Sequence, residues 1–420
     1  MLKTLLPAFV LVFFTVALNA QCPNGRYYNK IFGVTTHSNV QFGNAMKFDS
    51  TYQDLFMNIY EPDGDNFAHR PLIILAFGGS FTAGIKESPD IVNLCNEFTR
   101  RGYVCSSIDY RLGFEDGNDS DTNQFRALIR GVQDMKAAVR FFYKDALTSN
   151  TYRIDTSQIF IGGVSAGAFI GLNYAYGKID TFSIVPPVWG FPTVLALGGP
   201  EGNSGNPGYG TKVKGVIDLC GALADTVWIM PNDPILVGVH GYADSLVRCQ
   251  FDSAYAAQAV ESRLFGTCDI KNRVSNIGLS HSLYFFEGMG HVPFILPTDP
   301  LHNPLPYMDT TVWVIRDFLA PNTVCDSTQY ISGFEPVEEA VAVSVFPNPT
   351  SEGVFVSSSQ RNALIAKVLS VDGKLLLEET IAPDETIYIS KNRLSEGVYL
   401  LQLTDKLHPE KKRVERLVFN

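Results

Sequence analysis

Between residues 53 and 320, short continuous apolar runs alternate with longer segments of helical period. No other feature narrows the fold as much. RPLIILAFGG, YVCSSIDYR, QIFIGG, VKGVIDLC, PILVGVHG and HSLYFFEG are each of strand length, and YQDLFMNIYEP precedes them. A strand apolar on both faces is one buried between two layers. The intervening segments differ. Ile91, Leu94 and Phe98 share one face of a helix over Asp90 to Arg101. Leu128, Val132, Met135, Val139 and Phe142 recur every three or four residues, with charge opposite, and TTVWVIRDFLA closes the region as a last helix. Strands alternating with helices predict an α/β fold, a mostly parallel sheet with helices on both faces.

The two ends of the chain differ from this region. MLKTLLPAFVLVFFTVALNA has one lysine, a long apolar run and a small-residue exit, the layout of a secretory signal peptide cleaved after Ala20. Residues 19–21 before Cys22 lack the lead-in of a lipoprotein box, and no later segment offers a membrane-spanning apolar run. From residue 326 to 342 the sequence reads as a linker. From Val343 to Asn420 short strand-like runs are separated by turns, with Asp372-Gly373 as a hairpin signal, so a small all-β sandwich is expected there. The net charge of −10 argues against nucleic acid as a partner, since phosphate backbones repel it. Seven cysteines follow the signal peptide, an odd number that leaves at least one free thiol. Export permits disulfides. Cys249 with Cys268 is the expected pair, and Cys220 in VKGVIDLCGA reads as a buried thiol.

In IFIGGVSAGAFIG, Ile159 to Gly171, an apolar run ends in two glycines, presents one serine and resumes as small residues. A strand turning sharply into a helix would leave no room for side chains two positions either side of Ser165, hence Gly163 and Gly167. Such a turn can carry its serine as filler or exist to present it. Three further motifs favour presentation. FGGSF, Phe77 to Phe81, ends an apolar strand in glycines whose N–H groups are open to a ligand. HGYAD puts Asp244 directly after a later strand, and GMGH puts His291 after the last one.

The chemistry follows from the residue types. A serine hydroxyl is a weak nucleophile until a base takes its proton, and an imidazole suits that task. A carboxylate orients the imidazole and stabilises its charged form. Backbone N–H groups of Gly79, Ser80 and Ala166 are placed to receive a developing oxyanion. FGGSF, GVSAG, HGYAD and GMGH, in that order, resemble an α/β-hydrolase of the carboxylesterase and lipase kind over roughly residues 50 to 320. The resemblance implies Ser165 as nucleophile, His291 as base and Asp244 as acid, with no cofactor and no metal. It departs at Phe77, where such esterases commonly have histidine. The donors are backbone groups, so the change leaves them in place.

FPNPTSEG from Phe346, VDGK from Val371, LSEGVYLL from Leu394 and the basic ending KKRVERLVF resemble the sorting domain of exported Bacteroidetes proteins. The resemblance implies type IX secretion machinery as partner and a secreted or cell-surface location. The alternative from the residues alone is a carbohydrate-binding sandwich with an exposed aromatic platform, against which Tyr388 and Tyr399 read as core.

Other candidates carry less. Asp116, Asp119 and Asp121 could ligate calcium but lack EF-hand spacing and read as a solvated loop. His37, His69, His240, His281, His302 and His408 show no paired-ligand spacing, and His240 reads as support for the Asp244 loop. Asp218, Asp233 and Glu287 lie near strand ends as fallback acids. Residues 184–210 exceed an ordinary connection, so Trp189, Phe191 and Tyr209 could roof a pocket, with Phe81 as a further substrate contact, or the segment could simply pack on the domain. A secreted ester hydrolase acting on a small or polymeric ester is the first reading. A peptidase on the same scaffold would bring a large cap or propeller, and a non-catalytic binding protein would not need the three residues. Deleting KKRVERLVFN is expected to hold the chain in the periplasm. Mass spectrometry of periplasm and supernatant reads this, and an intact C-terminus on soluble periplasmic protein of the unaltered strain would count against sorting.

Overall fold

The computed structural model describes residues 22, 25–115, 120–177, 191–253, 263–294 and 307–325, and 343–419 except 347–349, 351, 359–361, 371–373, 384, 392–393 and 408–411. The expected signal peptide, the linker over 326–342, Asp116, Asp119, Trp189, His302 and His408 lie outside these residues. So do the side chains of Asp121 and Phe191. The chain divides into two compact units, Met1–Ser327 and Thr328–Asn420.

In the first unit the strands are β1 Gly33–Met46, β2 Tyr52–Asp63, β3 Arg70–Ala76, β4 Val104–Ile108, β5 Ile154–Val164, β6 Gly215–Leu219, β7 Ala222–Leu223, β8 Ile235–Gly241, β9 Asp252–Ser253, β10 Arg263–Gly266 and β11 His281–Phe286. The helices are α1 Pro89–Thr99, α2 Asp121–Leu147, α3 Ala166–Ala175, α4 Phe191–Ala196, α5 Thr267–Asn276 and α6 Tyr307–Leu319. Eight strands form one sheet in the order β1-β2-β4-β3-β5-β6-β8-β11. The pairs from β4 through β11 are parallel, while β1 and β2 are antiparallel additions at one edge. Every residue of β3, β4 and β6 is buried, as expected of strands covered on both faces.

The strand order decides where a ligand can sit. From β3 the chain steps one way to β4, then crosses back over β3 to β5 and continues to β6 and β8. With right-handed crossovers the first step puts α1 on one face, and the later ones put α2 and α3 on the other. Accordingly α1 packs with α6, and α2 with α3. The direction reverses between β3 and β5, and the crevice beyond the carboxyl ends of such strands is where open α/β sheets bind ligands. FGGSF follows β3 and Ser165 follows β5.

Two parts of the unit differ from the sequence reading. β1 is a full strand that the apolar pattern does not reveal, because bulges between His37 and Val40 and between Gln41 and Gly43 break its alternation. The described part of the 184–210 insertion is pinned to α2. Gln133 donates to the carbonyls of Leu197 and Gly199, Lys136 to that of Pro200, and Arg140 to that of Gly205. Residues 197–205 therefore pack on the domain.

Two disulfides close loops in this unit. Cys249 pairs with Cys268, as expected, and Cys22 pairs with Cys325, which sequence could not indicate across 303 residues. Cys95, Cys105 and Cys220 are free and buried. Burial pushes the Cys105 thiol up to about 12 despite a hydrogen bond with Thr99. No helix among the described residues is long and apolar enough to cross a membrane.

The second unit has two antiparallel sheets. One is β12 Val343–Phe346, β13 Gly353–Ser358 and β16 Thr386–Ser390 in the order β12-β13-β16. The other is β14 Leu364–Ser370, β15 Leu375–Ile381, β17 Gly397–Asp405 and β18 Lys412–Phe419 in the order β15-β14-β17-β18. Val354, Val356 and Ile389 from the first share a core with Leu364, Val368, Leu401, Leu403 and Leu417 from the second. The strands flanking Asp372-Gly373 pair as the hairpin signal implies. Tyr399 is core, but Tyr388 is not. It lies exposed across Gly353 with its ring 4.8 Å from that of Phe355, because its strand turns that position outward.

The Cys22–Cys325 crosslink spans nearly the whole first unit, so its loss releases the most chain entropy. Replacing both cysteines by serine is expected to lower the unfolding free energy by about 2–5 kcal/mol. Urea denaturation of the full chain checks it.

Candidate functional site

Ser165 sits between β5 and α3 with φ +52° and ψ −116°, a conformation a side-chain-bearing residue adopts only under strain. The sharpness of the turn brings the backbone of β3 against it. A Cβ on Gly163 or on Gly167 would lie 2.1 Å from the Ala76 carbonyl oxygen. Hydrogen bonds fix both sides of the turn: Ser165 N–H donates to Leu219 O, and Phe169 N–H donates to Ser165 O.

The loop after β3 faces this turn. A Cβ on Gly78 would meet that of Ser165 at 3.3 Å. Gly79, Ser80 and Phe81 have φ of +127°, +54° and +62°, so the loop runs through three successive residues at positive φ, a strained path for Ser80 and Phe81. Among the described residues, no carbonyl takes up the N–H of Gly79, Ser80 or Ala166. Phe77 holds the loop by packing. Its ring stacks on Tyr110 at 4.4 Å, and the Tyr110 hydroxyl donates to its carbonyl. Phe81 is buried, edge-on to Tyr110 at 6.2 Å.

Asp244 and His291 arrive from the neighbouring strands β8 and β11. The two following loops are joined by Tyr242 N–H donating to Phe286 O and Ala243 N–H to Met289 O. Gly241 admits the approach, since a Cβ there would lie 2.0 Å from the Gly290 carbonyl oxygen. His291 Nε2 lies 2.9 Å from Ser165 Oγ, and its Nδ1 lies 2.7 Å from Asp244 Oδ2. Asp244 Oδ1 accepts from the N–H groups of Leu246 and Val247. Burial alone would raise the Asp244 carboxyl. Hydrogen bonds from His240, His291 and Val247, with the His291 charge, hold it well below the usual carboxylate range.

His240, read as support for the Asp244 loop, is wholly buried with Nε2 2.8 Å from Val247 O. Of the fallback acids, Asp218 lies buried behind His240, and burial raises its carboxyl against the His240 charge and the hydrogen bonds from Thr267 and Gly221. Asp233 instead accepts from Met230 N–H, and Glu287 is exposed. Thr267, which links Asp218 to His240, carries no sequence signal because it comes from the first turn of α5. Cys220, His240 and Asp244 have the composition of a metal site, with candidate ligand atoms within 4.8 Å of one another. They do not suit one. Burial keeps Cys220 a thiol, and both His240 nitrogens are engaged by Val247 and Thr267.

Residues 57–184 match the BD-FAE family model, and residues 344–418 match that of the secretion system C-terminal sorting domain. No curated protein matches the chain significantly. Similar solved structures include a thermophilic esterase from the planctomycete Thermogutta terrifontis in native form, at 18% identity and TM-score 0.46, covering 68% of this chain and 91% of that one. The same esterase phosphorylated by paraoxon is 19% identical with TM-score 0.47, covering 70% and 96%. With butyrate bound it is 18% identical with TM-score 0.46 and the same coverage, 70% and 96%.

Gly167 provides a test of the elbow. In an ordinary helix, alanine stabilises by about 1 kcal/mol over glycine. Here the added carbon meets a carbonyl oxygen, so Gly167→Ala is expected to destabilise by about 1–3 kcal/mol. Thermal and urea unfolding read the sign. Strand order, turn and the two family matches together identify an α/β-hydrolase unit followed by a type IX secretion sorting domain.

Proposed function

We propose that this chain is a secreted serine ester hydrolase that works through an acyl-enzyme. The observation that carries the reading is the unbroken hydrogen-bond line from the strained Ser165 through His291 to the buried Asp244. Ser165 Oγ attacks the ester carbonyl while His291 Nε2 takes its proton, and the Asp244 carboxylate holds the resulting imidazolium. The negative charge on the former carbonyl oxygen is received by the N–H groups of Gly79, Ser80 and Ala166, each worth about 2.7–4 kcal/mol. Collapse expels the alcohol, which takes the proton from His291, and leaves the acyl group on Ser165. Water then attacks the acyl carbon, giving its proton to His291. The acid product departs and Ser165 regains its proton. The side chains and water complete the cycle.

The sorting domain supports type IX export to the surface or medium. Cleavage after Ala20 and removal of the C-terminal module on export belong to the same proposal.

Ser165→Ala is expected to cost at least about a thousandfold in turnover on a graded panel of p-nitrophenyl esters, with the fold intact. A fluorophosphonate should label Ser165 and no other residue. Asp244 has a depressed pKa, so it stays ionised far into acid and protonates only as pH falls through its folded value. Asp244 should therefore take up no proton over the range in which kcat/KM is lost on acidification, and that loss should follow a single proton. A two-proton slope would mean that Asp244 titrates as well.

A further inference from the structure

A second polar line runs behind the triad. His240 Nε2 lies 2.8 Å from Val247 O and 3.2 Å from Asp244 Oδ2. A carbonyl and an ionised carboxylate only accept, so this nitrogen carries a proton. Its Nδ1 lies 2.7 Å from Thr267 Oγ1, which is 2.8 Å from Asp218 Oδ2. The other Asp218 oxygen accepts from Gly221 N–H.

A hydroxyl has one proton to give. If Thr267 gives it to Asp218, Nδ1 must donate to Thr267, and a cationic His240 faces an anionic Asp218. If Thr267 gives it to Nδ1, Asp218 must be protonated and donate to Thr267. The three groups carry no net charge in either arrangement, and in both Nε2–H points at Asp244. A buried imidazole without such a backing could move its proton to the other nitrogen.

We propose that His240 is a positioning residue. Its Nε2–H, shared between the Val247 carbonyl and Asp244, aims the carboxylate at His291, while Thr267 and Asp218 fix the His240 tautomer. The role in turnover rests on the ester-hydrolase reading. The groups facing His240 are Asp218 from β6, the Cys220 thiol beyond it, Thr267 from α5, Asp244 from the loop after β8, and His291 as the partner of that carboxylate. Removing the Nε2 donor leaves the Asp244 charge less shared, so it falls more fully on His291 and favours the imidazolium. The carboxylate also loses one of the bonds that orient it.

The test uses the full chain and the rate at which a fluorophosphonate labels Ser165, which needs no knowledge of the ester. The amide nitrogen of glutamine reaches near the place of Nε2, whereas that of asparagine reaches only near Nδ1. His240→Asn is expected to slow labelling by about 30-fold or more and move its acidic limb up by about half a pH unit or more. His240→Gln should stay within about fivefold of the parent. Equal rates and an unshifted limb in both variants, with equal falls in Tm, would make His240 a packing residue and overturn the proposal. In the parent protein labelled with 15N-histidine, two-bond correlations should show His240 Nε2 protonated from about pH 5 to 9. A bare Nε2 anywhere in that range overturns it whether or not the variants fold. Absence of ester turnover alongside the Asn–Gln difference would remove only the ester reading. Turnover without that difference would remove only the His240 role.

Discussion

The Ala76 carbonyl oxygen occupies the space that a Cβ on Gly163 or Gly167 would need, and the site hangs from that contact. β3 and β5 are neighbours in the sheet, but a parallel pair alone would leave their following loops apart. Because both glycines lack side chains, the turn at Ser165 closes down on the end of β3. The loop after β3 then comes against the turn, where a Cβ on Gly78 would lie 3.3 Å from that of Ser165. The strain at Ser165 is the cost of holding its hydroxyl above the sheet, and the buried backbone on either side prevents it from relaxing.

Two aspartates close to one another illustrate how burial is used in opposite ways. Asp244 is wholly buried as a side chain yet kept ionised, because N–H donors converge on it. Asp218, equally buried, has fewer donors, and its carboxyl is raised. The difference comes from what each strand end offers. The loop after β8 curls its own amides round Asp244. Asp218 lies within β6 and depends on Thr267 from another element. A charge and a shared proton can thus stand side by side without either disrupting the other.

Much of this was legible in the sequence, and the reason is local. Ser165 and Asp244 each follow a buried strand and His291 follows the half-buried edge strand β11, and glycines beside them mark backbones that must pass close. The central strands announce themselves as apolar runs because both faces are covered. What stayed hidden depends on partners far along the chain. β1 is half exposed and bulged, so its period is lost. Thr267 gains its place only when α5 packs beside β8. Cys22 and Cys325 are 303 residues apart, so no local pattern links them. Tyr388 alternates correctly within its strand, but alternation does not say which face is turned outward.

The crosslink between Cys22 and Cys325 joins the first and last described residues of the hydrolase unit. Tension between the two ends of the polypeptide therefore passes through one sulfur–sulfur bond and bypasses the sheet. Once oxidised, the chain from Cys22 to Cys325 is a closed ring, so a pull on the residues that follow Cys325 is carried to Cys22 and cannot unravel the unit strand by strand.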